Sequence, residues 1–352
     1  MSVIAIHSKL RDYTVHFQND VRFIEGFTRF PQRLFVIDEN VWKLHGTGCL
    51  AALADSERII FSVSEERKNL DGVMELYDRL MECSAKKNMT LISIGGGIIQ
   101  DITGFVASTL YRGLNWVFVP TTLLAQADSC IGSKTSLNYK RFKNLIGTFY
   151  PPAEVHIFSR FLQTLENYDF LSGMGEVAKL HIMGGIETIS AFTEDLPVLL
   201  KRDDSAILSA IRRSLAVKLS YMEGDEFDTG RRNLLNYGHC FGHALETVSS
   251  YAIPHGQAVV VGMLVANRVA IKRGILSEDV AHRFAEQFLP LLLDFKLDLS
   301  RYSLYELITA MKKDKKRVGD GLVMVVMMDT IEMVKVDDVT PEEIEIAVTS
   351  FA

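Results

Sequence analysis

The sequence predicts two domains, an α/β N-terminal domain and a mainly α-helical C-terminal domain. Three observations carry this expectation. The chain has 352 residues, the length of about two domains at roughly 150 residues each. Its first half alternates short β-prone runs with helix-patterned segments, the arrangement that builds a parallel sheet. Beyond about Leu165 the β-prone runs give way to long helix-compatible stretches, so the boundary is placed at 1–167 and 168–352.

In chain order, Leu34-Phe35-Val36-Ile37 reads as a strand ending at Asp38-Glu39-Asn40, and Ile59 to Val63 as a second. A helix follows, with Leu70, Val73, Met74, Tyr77, Leu80 and Met81 on one face. Leu91 to Ile94 is a strand that runs into Gly95-Gly96-Gly97, and Trp116 to Val119 is another, closed by Pro120. Sites in such sheets lie at the carboxyl ends of the strands. Gly173 to Gly185, Ser205 to Glu223 and Arg231 to Ser250 read as helices. Leu322 to Met328 and Ile331 to Val336 read as a hairpin around a two-residue turn, Asp329-Thr330. The sequence contains no internal repeat or low-complexity linker.

Composition excludes several classes. With 48% hydrophobic and 23% charged residues, the chain can bury a core and is not a disordered or collagen-like polymer. The formal charge of −6 offers no field for a polyanion, which argues against nucleic acid. No apolar run reaches the roughly 18 residues of a spanning helix, and the first residues lack signal-peptide character; a cytoplasmic protein with no membrane partner is expected. Cys49, Cys83, Cys130 and Cys240 have no CxxC spacing and read as reduced thiols.

Three groups of residues bear chemistry. The glycine triplet after a strand allows close approach of an anion to backbone amides at a helix start. It departs from GxGxxG, so a plain tight turn is an equal reading. His239 and His243 fall at i and i+4, with His255 further on; three imidazoles in so short a stretch point to a metal, and Glu176 is the candidate carboxylate that completes a catalytic zinc set. The third group is basic: Arg112, Lys134, Lys143 beside Asn144, Lys179, Lys218, Arg232 and Lys312 to Lys316. Most such residues are solvated surface, but Lys134 lies in the small-residue segment Asp128 to Thr135, suited to wrapping an anion.

Together, GGGIIQD (Gly95 to Asp101), LYRG (Leu110 to Gly113), PTTLLAQADSCIGSKT (Pro120 to Thr135), KNLIG (Lys143 to Gly147), GMGEVAK (Gly173 to Lys179), LLNYGHCFGHALE (Leu234 to Glu246), PHGQAV (Pro254 to Val259) and DKK (Asp314 to Lys316) resemble the 3-dehydroquinate synthase and sugar phosphate cyclase superfamily. The resemblance implies an N-terminal NAD-binding domain and a C-terminal metal- and substrate-binding domain. It places Asp38, Glu65, Lys68, Gly96, Gly97, Asp101, Thr121, Thr122 and Thr164 at NAD, and Glu176, His239 and His255 at zinc or cobalt. His243 then faces the substrate phosphate and the proton-transfer region instead of the metal. Lys134, Asn144, Asn236, His243 and Lys316 fall to the phosphate, with Arg112 contributed across a homodimer. Asp128, Lys143, Lys179 and Lys218 fall around the polyol, and Arg232 on a carboxylate.

The implied reaction is that of a lyase of the shikimate pathway and aromatic amino acid biosynthesis. It converts 3-deoxy-D-arabino-heptulosonate 7-phosphate to 3-dehydroquinate and phosphate by transient NAD-dependent oxidation, β-elimination, reduction and aldol closure. Alternatives are a related cyclase of secondary metabolism acting on sedoheptulose 7-phosphate, glucose 6-phosphate or a similar sugar phosphate; an iron-dependent alcohol dehydrogenase-like oxidoreductase; and a non-catalytic nucleotide sensor. Four departures from the family pattern stand out: Gln100 and Ser133 replace usual glycines, Asp228 stands where glutamate is common, and the strand Val155 to Phe158 lacks the aspartate that often follows it.

Overall fold

The apolar runs of the first half become strands buried on both faces. In the computed structural model, which describes residues 3–140, 142–312 and 321–351, the chain divides into two units, Met1–Leu165 and Glu166–Ala352. The division falls two residues before the boundary expected from composition.

The first unit runs β1 (Val3–Ile6), β2 (Tyr13–Phe17), β3 (Arg33–Asp38), α1 (Glu39–His45), β4 (Arg58–Phe61), α2 (Leu70–Glu82), β5 (Thr90–Gly95), α3 (Gly97–Thr109), β6 (Asn115–Pro120), β7 (Lys134–Tyr139), β8 (Phe142–Phe149) and β9 (Glu154–Ile157). Seven strands form one sheet in the order β1-β2-β9-β6-β5-β3-β4, parallel except for the β1–β2 pair. Continuous apolar strands suit a sheet covered on both faces. Phe27, Phe35, Ile37, Ile92, Ile94, Val117, Val119, Phe158 and Phe161 build one part of its core. The chain leaves β3 for β4 on one side and reaches β5 on the other, so a crevice opens at the carboxyl ends of β3 and β5.

Two details of this unit differ from the periodicity reading. Helix α2 forms where expected, capped by the Asn69 side chain accepting from Gly72 N, but its buried stripe is Val73, Leu76 and Leu80, while Leu70, Met74 and Met81 are exposed. The spacing fits two adjacent stripes, and only one meets the sheet layer. The segment from Lys134 does not wrap as a loop: Ala125–Ser129 is a short π-type turn, and Lys134 opens an antiparallel hairpin of β7 and β8. The polar alternation of that hairpin hides it among loop-like residues.

The second unit runs α4 (Asn167–Met183), α5 (Ile186–Leu199), α6 (Asp204–Met222), α7 (His239–Val248), α8 (His255–Lys272), α9 (Glu278–Ala281), α10 (Leu304–Lys312), β10 (Leu322–Met327), β11 (Met333–Val339) and α11 (Pro341–Thr349). Helix α4 begins six residues before the expected start, and α5 and α8 extend the helical content beyond the segments that periodicity marks. The single helix expected over Arg231–Ser250 is broken: a 3₁₀ stretch, Arg231–Asn236, leads into Gly238 at φ 77°, and α7 starts only at His239. The hairpin forms with a three-residue loop instead of two. Met327 pairs with Met333, Met328 N donates to Glu332 O, and Ile331 takes φ 62°, the left-handed residue that such loops require. Among the described residues no helix is long and apolar enough to cross a membrane.

Candidate functional site

In the second unit, glycine lets three helices touch. A Cβ on Gly175 of α4 would stand 2.2 Å from the Gly256 carbonyl oxygen at the start of α8, and one on Gly262 of α8 would stand 1.8 Å from that of Gly238, just before α7. No side chain fits at either crossing. The result is that Glu176, the residue after Gly175, reaches the first residues of both α7 and α8. Its Oε1 lies 3.5 Å from His239 Nε2 and 3.2 Å from His255 Nε2, and its Oε2 lies 2.5 Å from Lys179 Nζ, one turn along α4.

The far side of each imidazole is also engaged. His239 Nδ1 is 3.1 Å from the Tyr237 carbonyl oxygen, and His255 Nδ1 is 3.0 Å from Glu246 Oε2. A carbonyl can only accept, so His239 carries its hydrogen on Nδ1 and turns the Nε2 lone pair inward. His243 lies one turn beyond His239, its ring perpendicular to that of His239 and stacked on that of His255, with centroids 5.3 and 5.6 Å apart. Ligand atoms of the three imidazoles all lie within 4.8 Å of one another. The three histidines singled out in the sequence thus stand together, with His243 in the same cluster as the two assigned to metal.

Charge in this cluster is strongly perturbed. Burial pushes the Glu176 carboxyl up, but Lys179, His239 and His255 outweigh it and hold the group well below the usual carboxylate range. Burial and the Lys179 ammonium hold His239 well below the usual imidazole range. For His255 burial opposes the charge, yet Glu246 and Glu176 on its two sides raise it to about 10. Neither Glu176 oxygen accepts a well-aligned hydrogen bond from the described residues, although both are sealed from solvent. A buried carboxylate with inward-facing imidazoles and no aligned donor fits a divalent cation, with two nitrogens and one oxygen as ligands.

Arg232 and Asn236, also assigned in this unit, lie in the 3₁₀ stretch between α6 and α7. Asp225 accepts from Thr229 N, Gly230 N and Arg232 N, each at 2.8 Å, and Asp228 takes φ 60° within the same turn. Arg232 is buried, and its guanidinium donates to the Glu226 carbonyl. The carboxylate of Asp225 therefore organises backbone amides, including that of Arg232. Asn236 donates to the Asn233 carbonyl, and Lys218 is buried on α6. Lys316 and the rest of the DKK motif lie outside the described residues.

The first unit places the glycine triplet as expected, at the end of β5 and the start of α3. A Cβ on Gly95 would stand 2.9 Å from that of Asp38, and one on Gly96 3.0 Å from Thr122 Cγ2. Asp38, the triplet, Thr121 and Thr122 thus gather at the carboxyl ends of β3, β5 and β6. Amides of Gly97 and the next residues open α3 without a side-chain cap, the arrangement that receives a phosphate. Thr164 is bonded through its hydroxyl to His45 Nε2 at 2.9 Å.

Glu65, Lys68 and Asp101, assigned to NAD, are gathered with Lys143 and Asn144, assigned to substrate. Lys68 Nζ is 2.5 Å from Asp101 Oδ2 and donates to Asn144 Oδ1 at 2.7 Å. Asp101 also accepts from Ser136 N and Oγ, each at 2.9 Å, and Glu65 accepts from Asn138 at 2.8 Å and lies 3.7 Å from Lys143. This network fastens the hairpin to α3 and to the segment before α2. Ser136 and Asn138 are missed by the sequence reading, as is Glu246; no spacing signal marks them. Arg112 is exposed at φ 63°, Asp128 sits in the π-type turn, and Lys134 is exposed at the start of β7.

Residues 58–172 match the 3-dehydroquinate synthase N-terminal family, and residues 173–317 match the 3-dehydroquinate synthase C-terminal family. The chain belongs to the 3-dehydroquinate synthase family. It is 36% identical to the 3-dehydroquinate synthase of Clostridium tetani over 90% of this chain and 82% of that one. It is 42% identical to that of Geotalea uraniireducens over 73% of this chain and 71% of that one. Among solved structures, the 2-epi-5-epi-valiolone synthase of Streptomyces hygroscopicus, with NAD⁺ and Zn²⁺ bound, is 26% identical at a TM-score of 0.87, covering 99% of this chain and 98% of that one.

Of the departures from the 3-dehydroquinate synthase pattern, Gln100 finds local compensation and Ser133 does not. Gln100 donates to the Ser129 carbonyl and accepts from the Ser129 hydroxyl, both at 2.7 Å, so its side chain clasps the π-type turn. Ser133 occupies φ 62°, the left-handed conformation in which glycine is the ordinary choice.

Proposed function

We propose that this chain is a 3-dehydroquinate synthase, converting 3-deoxy-D-arabino-heptulosonate 7-phosphate to 3-dehydroquinate and inorganic phosphate. The observation that carries the reading is its identity of 36 to 42% with relatives of that name over most of its length. We further propose that the enzyme is a cytoplasmic homodimer to which Arg112, exposed on its turn, lends a cation across subunits.

In this reading, NAD supplies a reversible hydride acceptor for one secondary alcohol of the substrate, and zinc or cobalt supplies Lewis acidity at that alcohol's oxygen. Glu176, His239 and His255 hold the metal. Lys179, pressed against Glu176 at 2.5 Å, keeps a positive charge beside the polyol and limits the carboxylate to one orientation. Lys218 adds a second buried ammonium. His243, stacked on His255, binds the phosphate together with Asn236 and takes up or returns the proton moved during elimination. Arg232 receives the substrate carboxylate, for which its planar guanidinium is suited. In the first unit, the triplet and the start of α3 receive the pyrophosphate of NAD, and Asp38 accepts from its ribose. Lys134 and Asn144 bind phosphate; Asp128 and Lys143 serve the polyol.

The second reading, a cyclase of secondary metabolism, is supported by the likeness to the valiolone synthase. Phosphate release from the heptulosonate 7-phosphate, sedoheptulose 7-phosphate and glucose 6-phosphate, each with NAD and zinc, separates the two. Selective turnover of the heptulosonate supports the first; selective turnover of either carboxylate-free sugar overturns it.

A further inference from the structure

Glu246 lies on α7 seven residues after His239, nearly two helical turns along the same face, and is buried. Its Oε2 is 3.0 Å from His255 Nδ1, while the other nitrogen of that ring faces Glu176 at 3.2 Å. The two imidazoles assigned to metal are therefore steered by different groups. The carbonyl of Tyr237 holds His239, and a side chain, Glu246, holds Nδ1 of His255. His255 needs such a hold: it is the first residue of α8, its cap Pro254 makes no side-chain cap bond, and a third of its side chain is exposed.

We propose that Glu246 is a positioning residue for the metal centre, resting on the assignment of Glu176, His239 and His255 as ligands. A carboxylate at Nδ1 retains the hydrogen there, presents the Nε2 lone pair to the metal and increases the donor strength of the ring. It also prevents rotation about the Cβ–Cγ bond, which would exchange nitrogen for carbon at the ligand position. Glu246 does not touch the metal or substrate. Second-sphere carboxylates of this kind change metal affinity by about 10- to 100-fold.

The test is zinc affinity by competition with a chromophoric chelator, together with the visible spectrum of the cobalt-loaded protein, in the full chain. Glu246→Gln keeps shape and an acceptor oxygen but removes the charge, and Glu246→Asp keeps the charge with a shorter reach. Circular dichroism and thermal melts of the metal-free forms show whether each variant folds. Glu246→Gln is expected to weaken zinc binding about 10-fold or more and to shift the cobalt bands, with Glu246→Asp intermediate. A folded Glu246→Gln protein with unchanged zinc affinity and cobalt spectrum overturns the proposal; should Glu246→Gln not fold, unchanged affinity in folded Glu246→Asp does the same. His255→Ala separates this failure from failure of the ligand assignment: if it abolishes stoichiometric zinc while Glu246→Gln changes nothing, only the role of Glu246 falls. If His255→Ala retains zinc at full affinity, the ligand set itself is wrong.

Discussion

Glu176 and Lys179 stand one turn apart on α4 with Oε2 and Nζ 2.5 Å apart, the carboxylate inaccessible and the ammonium nearly so. A buried charge that loses its partner is left in a poor solvent, at a cost of about 3 to 5 kcal/mol. Lys179→Met should destabilise the metal-free protein on that scale. Zinc provides Glu176 with a replacement counter-charge, so the loss should shrink when zinc is bound. Urea unfolding with chelator and with zinc measures both. An equal loss in the two conditions contradicts the assignment of Glu176 to metal.

Gly262 and Gly238 make the closest backbone crossing of α8 with the start of α7, since an added Cβ would stand 1.8 Å from a carbonyl oxygen. Backbone cannot yield as a side-chain tip does. Gly262→Ala should cost about 3 kcal/mol or more and lower zinc affinity, because the crossing sets where His239 and His255 stand. Gly274, at φ 68° with open space around its Cβ position, is the control: Gly274→Ala should cost only about 1 to 2 kcal/mol, the conformational term. Thermal melts of the two variants compare the terms, and equal losses would show that the crossing carries no special load.

Asp225 gives the protein an acid-sensitive turn. Burial pushes its carboxyl up, but the amides of Thr229, Arg232 and Gly230 outweigh this and lower it from 3.8 to about 2. A lowered carboxyl stabilises the fold above its unfolded value, and the contribution disappears as pH falls through the folded value. The turn should therefore contribute fully above about pH 4 and lose its contribution between pH 4 and 2. Asp225→Asn should lower the melting temperature at neutral pH and flatten its pH dependence in that window. Parallel melting curves of variant and wild type from pH 5 to pH 2 would show that the carboxylate carries no such load.

In the proposed function Arg232, whose backbone amide is anchored by that turn, receives the substrate carboxylate. Arg232→Ala should lower kcat/KM for the heptulosonate phosphate by about a hundredfold, equivalent to roughly 3 kcal/mol of charge-assisted recognition. Carboxylate-free sugar phosphates should lose far less. Steady-state kinetics on both substrate types checks this, and an equal loss on both would assign Arg232 to structure alone.

Much of this organisation is legible in the residues themselves. The apolar runs around Phe35, Ile92 and Val117 declare a covered parallel sheet because strands buried on both faces need no polar alternation. The imidazole cluster is legible because three histidines and small residues share a short stretch. The break at Gly238 is not, because apolar spacing continues through it and only the close approach of α8 explains the left-handed residue. The hairpin carrying Lys134 and Asn144 is hidden for another reason: its polar face bonds to Asp101 and Lys68, partners distant in sequence. Glu246 escapes notice because a carboxylate on an amphipathic helix looks like any other until its distance to His255 is known.

The proposed transient use of NAD during phosphate elimination is tested by following inorganic phosphate and NADH together. The zinc-loaded protein is given NAD at a fraction of the concentration of 3-deoxy-D-arabino-heptulosonate 7-phosphate. Many phosphates should be released per NAD with no build-up of free NADH, and 3-dehydroquinate should form one for one with phosphate. Release that stops when NAD is consumed, with one NADH appearing per turnover, would contradict it and mark the protein as a net oxidoreductase.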